Sequence, residues 1–256
     1  MLFHETIFGP IHSRRLGTSL GVNLTPDDGK ICSFDCIYCE AGWNSQGPGT
    51  TGFAPVDKVA SLLDARLAQM RQAGDPLDVI TFSGNGEPTL HPEFPAVVEQ
   101  VTALRDKYYP QARVSVLTNS TRLGDPAVAE ALLKVDNNIL KLDSALTETI
   151  RLIDQPNNPG FSAEAVIDQL KQFAGTGIIQ TMMLRGEFGG RRVDNTTDAE
   201  VEALIAAYKA IAPREIMLYS IDRPTPARQL EKVSADELRA IGSRIAQATS
   251  IPVQVN

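Results

Sequence analysis

Six times along this chain a compact apolar run of strand length ends in short polar residues, and a segment with apolar residues at helical spacing follows. The strand candidates are residues 19–24, 77–82, 114–118, 138–143, 178–184 and 215–221. Between them Val59, Leu62, Leu63, Leu67 and Met70 recur on one helical face until Gly74, as do Phe94, Val97, Val98, Val101 and Leu104. Pro126 opens a helix to about residue 133, and Val166, Ile167, Leu170 and Phe173 mark another before Gly175. Thr197 with Glu200 and Ser234 with Glu237 have capping-box spacing, so two further helices start there. This alternation predicts an α/β fold: a parallel sheet with right-handed crossovers and helices outside. A barrel, a partial barrel and a flat doubly wound sheet all satisfy it.

The 256 residues, 43% of them hydrophobic, suit one soluble domain over residues 1–256 with a sizeable core. Residues 1–17 read as an N-terminal extension, and 234–256 as a C-terminal helix and edge strand. Neither a basic leader nor a run of about 18 apolar residues is present, which predicts a cytoplasmic protein without a membrane span. Twenty-four Lys and Arg against 31 Asp and Glu leave −7, a balance that disfavours a broad electrostatic grip on nucleic acid while leaving a local basic patch open. Arg14 and Arg15 are candidates to hold an anionic group such as a carboxylate, or to form surface ion pairs.

All three cysteines, Cys32, Cys36 and Cys39, lie within eight positions as CxxxCxxC, with Tyr38 just before the last. Bridges between such neighbours would staple nothing, so they read as ligands to a soft metal centre. A four-iron cluster held by three thiolates keeps one iron open. A closed ferredoxin cluster or a structural zinc site wants a fourth ligand. The alternatives are zinc completed by His4, His12 or His91, and a set of reduced thiols with no role.

Other candidates sit at strand ends. In the 83–89 turn, Gly84 and Gly86 allow close backbone approach and Glu87 can accept from an ammonium group, although a plain turn uses the same residues. Thr118, Asn119, Asp143 and Ser144 offer short hydrogen-bonding groups. Arg185 follows a strongly apolar run and faces either a ligand carboxylate or a partner such as Glu187 or Asp143. Residues 187–195, including Arg191 and Arg192, read as a charged loop, and Tyr219 as a stacking ring or a core residue.

The motif CxxxCx(aromatic)C resembles that of the radical S-adenosylmethionine (SAM) enzymes, whose GGEP-like turn matches here with Asn85 in place of the first glycine. Ser13-Arg14-Arg15-Leu16-Gly17, Gly21-Val22-Asn23 and the GNGEPTL stretch most resemble the iron–sulfur oxidoreductases related to wyosine-tRNA synthases. The resemblance implies a partial (βα)6 barrel of radical SAM type, parallel strands with outer helices, and a site at the C-terminal strand ends. It implies a [4Fe-4S] cluster on Cys32, Cys36 and Cys39 that cleaves SAM reductively to a 5′-deoxyadenosyl radical, which abstracts hydrogen from an unidentified substrate. Tyr38 would pack near adenine; Gly84, Asn85, Gly86 and Glu87 would meet the amino group. Thr118, Asn119, Asp143 and Ser144 would meet the ribose or carboxylate, with Arg185 and Tyr219 as further contacts. The implied partner is an external electron donor such as flavodoxin or ferredoxin. No cysteine is left for the second cluster of the wyosine enzymes, so their substrate is not transferred. A glycyl-radical-enzyme activase and a non-catalytic iron–sulfur or zinc binding module are the alternative functions.

Overall fold

The computed structural model describes residues 2–13 and 17–256, so Arg14 and Arg15 lie outside the described residues. The chain forms two compact units. Met1–Cys32, Asn44–Thr118 and Gly124–Asn138 make the first, and Ser33–Trp43, Asn119–Leu123 and Ile139–Asn256 the second.

The first unit opens with β1 (Ile7–Ser13), antiparallel to β2 (Gly17–Val22). This strand falls in the stretch read as an extension. Its polar residues and Gly9-Pro10 hide the period-2 pattern, and the register shifts between Phe8 and Ile11. Then come α1 (Val56–Ala73), β3 (Val79–Phe82), α2 (Phe94–Tyr108), β4 (Arg113–Thr118) and α3 (Pro126–Leu133). Strands β2, β3 and β4 pair in parallel. Every residue of β3 is buried, which is why it reads as a continuous apolar run rather than an alternation. Helix α1 buries Val59, Leu63, Leu67 and Met70 and stops at Gly74, whose φ of 76° a side chain would resist.

The second unit contains β5 (Asn137–Lys141) from Ile139 onward, then α4 (Thr147–Ile153), α5 (Ala163–Leu170), β6 (Ile178–Phe188) and β7 (Arg191–Asp194). It continues through α6 (Asp198–Ile211), β8 (Glu215–Ser220), β9 (Leu230–Lys232), α7 (Ala235–Thr249) and β10 (Val253–Val255). Strands β5, β6, β8 and β10 are parallel neighbours in that order. Both predicted N-caps form, with Thr197 and Ser234 accepting from the amides of Glu200 and Glu237, while the two Glu side chains turn to Ser144 and Thr149 and to Arg185 instead of closing the box.

Residues 187–195 are not a loop. β6 runs on to Phe188 and turns back as β7 through Gly189 and Gly190, with φ of 58° and 71°, a two-residue hairpin that favours glycine at both positions. β9 covers the other edge of the same extension. Its one face carries Leu184 and Phe188 against a core of Ile37, Ile153, Met182, Val193 and Ala227.

Candidate active site

In the first unit, the residue preceding the motif is fixed by the turn after β3. Ile31 N–H donates to Asn85 O at 3.2 Å, and Glu87 N–H donates to Ile31 O at 3.0 Å. Only a glycine permits this approach, because a Cβ on Gly86 would stand 1.8 Å from Ile31 O. Gly84 is confined by a side chain instead, with its Cβ position 2.2 Å from Asn23 Oδ1.

Beside this turn the Glu87 carboxylate is 2% exposed. Its Oε1 accepts from Thr89 N at 3.0 Å, Thr89 Oγ1 at 2.6 Å and Thr118 Oγ1 at 2.7 Å, which fixes its orientation. The Asn85 side chain is spent inside the fold: Nδ2 donates to Phe3 O and Pro26 O, while Oδ1 accepts from Phe3 N.

In the second unit, the segment Ser33–Trp43 rests on the end of α4. Asp35 N–H donates to Asp154 O at 2.9 Å, Ile37 N–H to Ile153 O at 2.9 Å, and Asn157 N–H to Ser33 O at 2.9 Å. Ala227 N–H donates to Ile37 O at 3.1 Å, and the fully buried Ile37 side chain enters the core described above. Phe34 meets Phe161 edge to face at 5.5 Å. Asn119 Nδ2 donates to Ser33 Oγ at 2.8 Å. A turn links Cys39 N–H to Cys36 O at 3.0 Å.

Below this segment lies a buried charge cluster around Lys141. Its ammonium stands 4.6 Å from the centre of the Tyr38 ring and donates to Tyr38 Oη and Asp143 Oδ2. It also approaches Asp154 Oδ1 at 2.9 Å, within ion-pair distance. The Tyr38 hydroxyl donates to Asp143 Oδ2, and Asp143 Oδ1 accepts from Met182 N at 2.9 Å. Burial pushes the Asp154 carboxyl up to about 7, against the pull of Lys141 and with the help of Asp143. Burial would lower Lys141, but Asp143 and Asp154, followed by the Cys36 thiol, hold it well above its ordinary value. Burial and then Asp143 raise Tyr38 as well.

The remaining candidates have other partners. Ser144 Oγ donates to Glu200 Oε2 at 2.6 Å. Arg185 pairs with Glu237 and donates to Thr196, rather than meeting Glu187 or Asp143. Arg192 pairs with Asp194 at 2.9 Å. Tyr219 is half-buried against the core below the cysteine segment. Sequence reasoning passed over Lys141 and Asp154. The one signal was a lysine inside an apolar strand, a position that demands buried partners.

None of the three cysteines is in a disulfide, and each is half-buried. Among the described residues no three His, Cys, Asp or Glu side chains surround one point as a single metal ion requires. A four-iron cluster takes each thiolate at a different corner. His91 has both ring nitrogens engaged, Nε2 with Ala54 O at 2.9 Å and Nδ1 with Glu93 N at 3.1 Å, so it is not available to complete a zinc site.

The radical SAM superfamily model matches residues 28–195, a span that holds the cysteine segment, the Glu87 turn and the Lys141 cluster. The chain belongs to the radical SAM superfamily. A UPF0026 protein of Synechocystis is 30% identical over 275 residues, 97% of this chain and 95% of that one. Among solved structures, a radical SAM methyltransferase from Sphaerobacter thermophilus superposes with a TM-score of 0.69 at 17% identity, over 93% of this chain and 65% of that one. TYW1 with a lysine–pyruvate adduct bound superposes with a TM-score of 0.61 at 16% identity, over 92% of this chain and 76% of that one. The likenesses show the α/β fold of the radical SAM proteins, and membership implies an enzyme. Among the described residues no helix is long and apolar enough to cross a membrane.

Proposed function

We propose that this chain is a radical SAM enzyme in which Cys32, Cys36 and Cys39 hold a [4Fe-4S] cluster whose open iron takes S-adenosylmethionine. The observation that carries the reading is the donor set: all three cysteines are outside any disulfide, half-buried and confined to one short segment inside the family-matched span. Sulfur ligands at that spacing suit iron, and no fourth cysteine exists to close the cluster. When bound, the group supplies one-electron cleavage of the sulfonium and hydrogen-atom abstraction from a substrate.

The protein's own part is to position and enclose. Glu87, fixed by three donors on Oε1, is the carboxylate we assign to the amino group of SAM. Thr118 and Thr89 keep that carboxylate from rotating away. Asn85, Ser144 and Arg185 have their side chains committed within the protein, and we assign them to the scaffold.

Anaerobic reconstitution with iron and sulfide, followed by reductant and SAM, tests the reading. Four iron per chain and release of 5′-deoxyadenosine are expected, both lost in Cys36→Ala. Absence of either product in the unaltered chain overturns it.

A further inference from the structure

We infer that Lys141 is a positioning residue for the segment that carries Cys36 and Cys39, acting through Tyr38 and Asp154. The inference deepens the proposed function and rests on that reading of the cysteines.

Tyr38 lies between the two cysteines in sequence, and its ring and hydroxyl both meet the Lys141 ammonium. Asp154 supplies the second connection. Its backbone oxygen accepts from Asp35 N, one residue before Cys36, and its side chain turns inward to the same ammonium. One largely enclosed cation therefore fastens the segment at two places, on either side of Cys36. Asp143 completes the arrangement by accepting from Lys141 and Tyr38 with Oδ2 and from Met182 N with Oδ1, which ties the cation to the strand pair β5–β6.

A structural ion pair with no bearing on the cysteines would not need Tyr38. Burying an ammonium is costly, and burying two carboxylates around it costs more unless every group finds a partner. Here the partners are drawn from the motif segment and from the residues on which it rests. With the segment held before any metal arrives, two of the three thiols need little rearrangement on loading, which is the preorganisation that binding sites use to limit ordering costs.

The test compares the full chain with Lys141→Met, with the double variant Lys141→Met plus Asp154→Asn, and with Tyr38→Phe. The double variant removes the orphaned carboxylate together with the cation, and Tyr38→Phe removes a single oxygen while keeping the ring. Hydrogen exchange is measured in the metal-free chains at the amides of Asp35 and Ile37, with helix α2 as the internal reference. The reconstituted chains are then reduced and examined by electron paramagnetic resonance, with the midpoint potential measured alongside. Exchange at Asp35 and Ile37 is expected to rise about tenfold or more in the double variant and less in Tyr38→Phe, with α2 unchanged. The resonance line shape and midpoint potential should shift in the same order.

If exchange rises equally in α2, or if Asp35 and Ile37 stay protected in both the double variant and Tyr38→Phe, the positioning role is wrong. An unshifted spectrum and potential in those variants overturn it as well. If the unaltered chain takes up no four-iron cluster, the proposed function fails instead, and the exchange comparison still reports whether Lys141 holds the segment.

Discussion

The ammonium of Lys141 stands 2.9 Å from Oδ1 of Asp154, with side-chain exposures of 13% and 1%. Burial raises Asp154 from its usual 3.8 to about 7, so the folded chain holds that proton more tightly than the unfolded chain does. The sign follows from linkage: the contribution is complete at low pH and is lost as pH rises from about 4 through 7. Asp154→Asn carries no such titration. Urea unfolding of both chains between pH 5 and 8 should show the unaltered protein losing ground to the variant by on the order of 2–3 kcal/mol across that window. A constant difference between the two curves would mean that Asp154 is ionised throughout.

Gly86 is the position at which the turn after β3 touches the start of the cysteine motif. Its φ of 154° and a Cβ 1.8 Å from Ile31 O combine two costs, strain and a backbone clash. Gly86→Ala should therefore cost roughly 2–4 kcal/mol, against about 1 kcal/mol for Gly175→Ala, where φ is 70° and the space is open. Thermal unfolding of the two variants checks the ranking. Equal shifts would show that the Ile31 contact is not what constrains Gly86.

The strands of both units were legible because buried parallel strands leave short, mostly apolar runs without strict alternation, such as residues 79–82 and 178–184. The segments that escaped are those without such a signal. Helix α4 is only seven residues long, β9 only three, and β1 mixes polar residues with Gly9-Pro10. The β6–β7 hairpin did leave a sign, Gly189-Gly190 between two strand-competent stretches, masked by the charges of Arg191 and Arg192. In the site, the cysteine spacing could be read because its residues are contiguous. Lys141 and Asp154 could not, since nothing in a linear pattern shows that a lysine in β5 and an aspartate after α4 turn toward one another beneath Tyr38.

Asn85 stands where the family pattern has glycine, so Asn85→Gly would restore the pattern and yet is expected to weaken the protein. The amide it removes satisfies Phe3 N, Phe3 O and Pro26 O, all at 2.7–2.8 Å. Leaving such groups without partners costs about 1–3 kcal/mol apiece where water cannot replace the amide, less at the half-buried Phe3. A net loss of about 2–4 kcal/mol is expected, together with faster hydrogen exchange at Phe3. A variant as stable as the unaltered chain would show that water substitutes for the amide.

Ile37 is fully buried between Cys36 and Tyr38, and it packs against Ile153, Met182, Leu184, Val193 and Ala227. Ile37→Ala opens a cavity in that core and should cost about 2–5 kcal/mol, whereas Leu62→Ala, at a side chain 42% exposed on α1, should cost about 1 kcal/mol or less. The same cavity loosens the support on which the cysteine segment lies, so iron retained after reconstitution should fall in Ile37→Ala and not in Leu62→Ala. Denaturant midpoints and iron-to-protein ratios on the two variants give both readings. A variant that loses the stability but keeps its iron would mean that the hydrogen bonds from Asp35 and Ile37 hold the segment without help from the core.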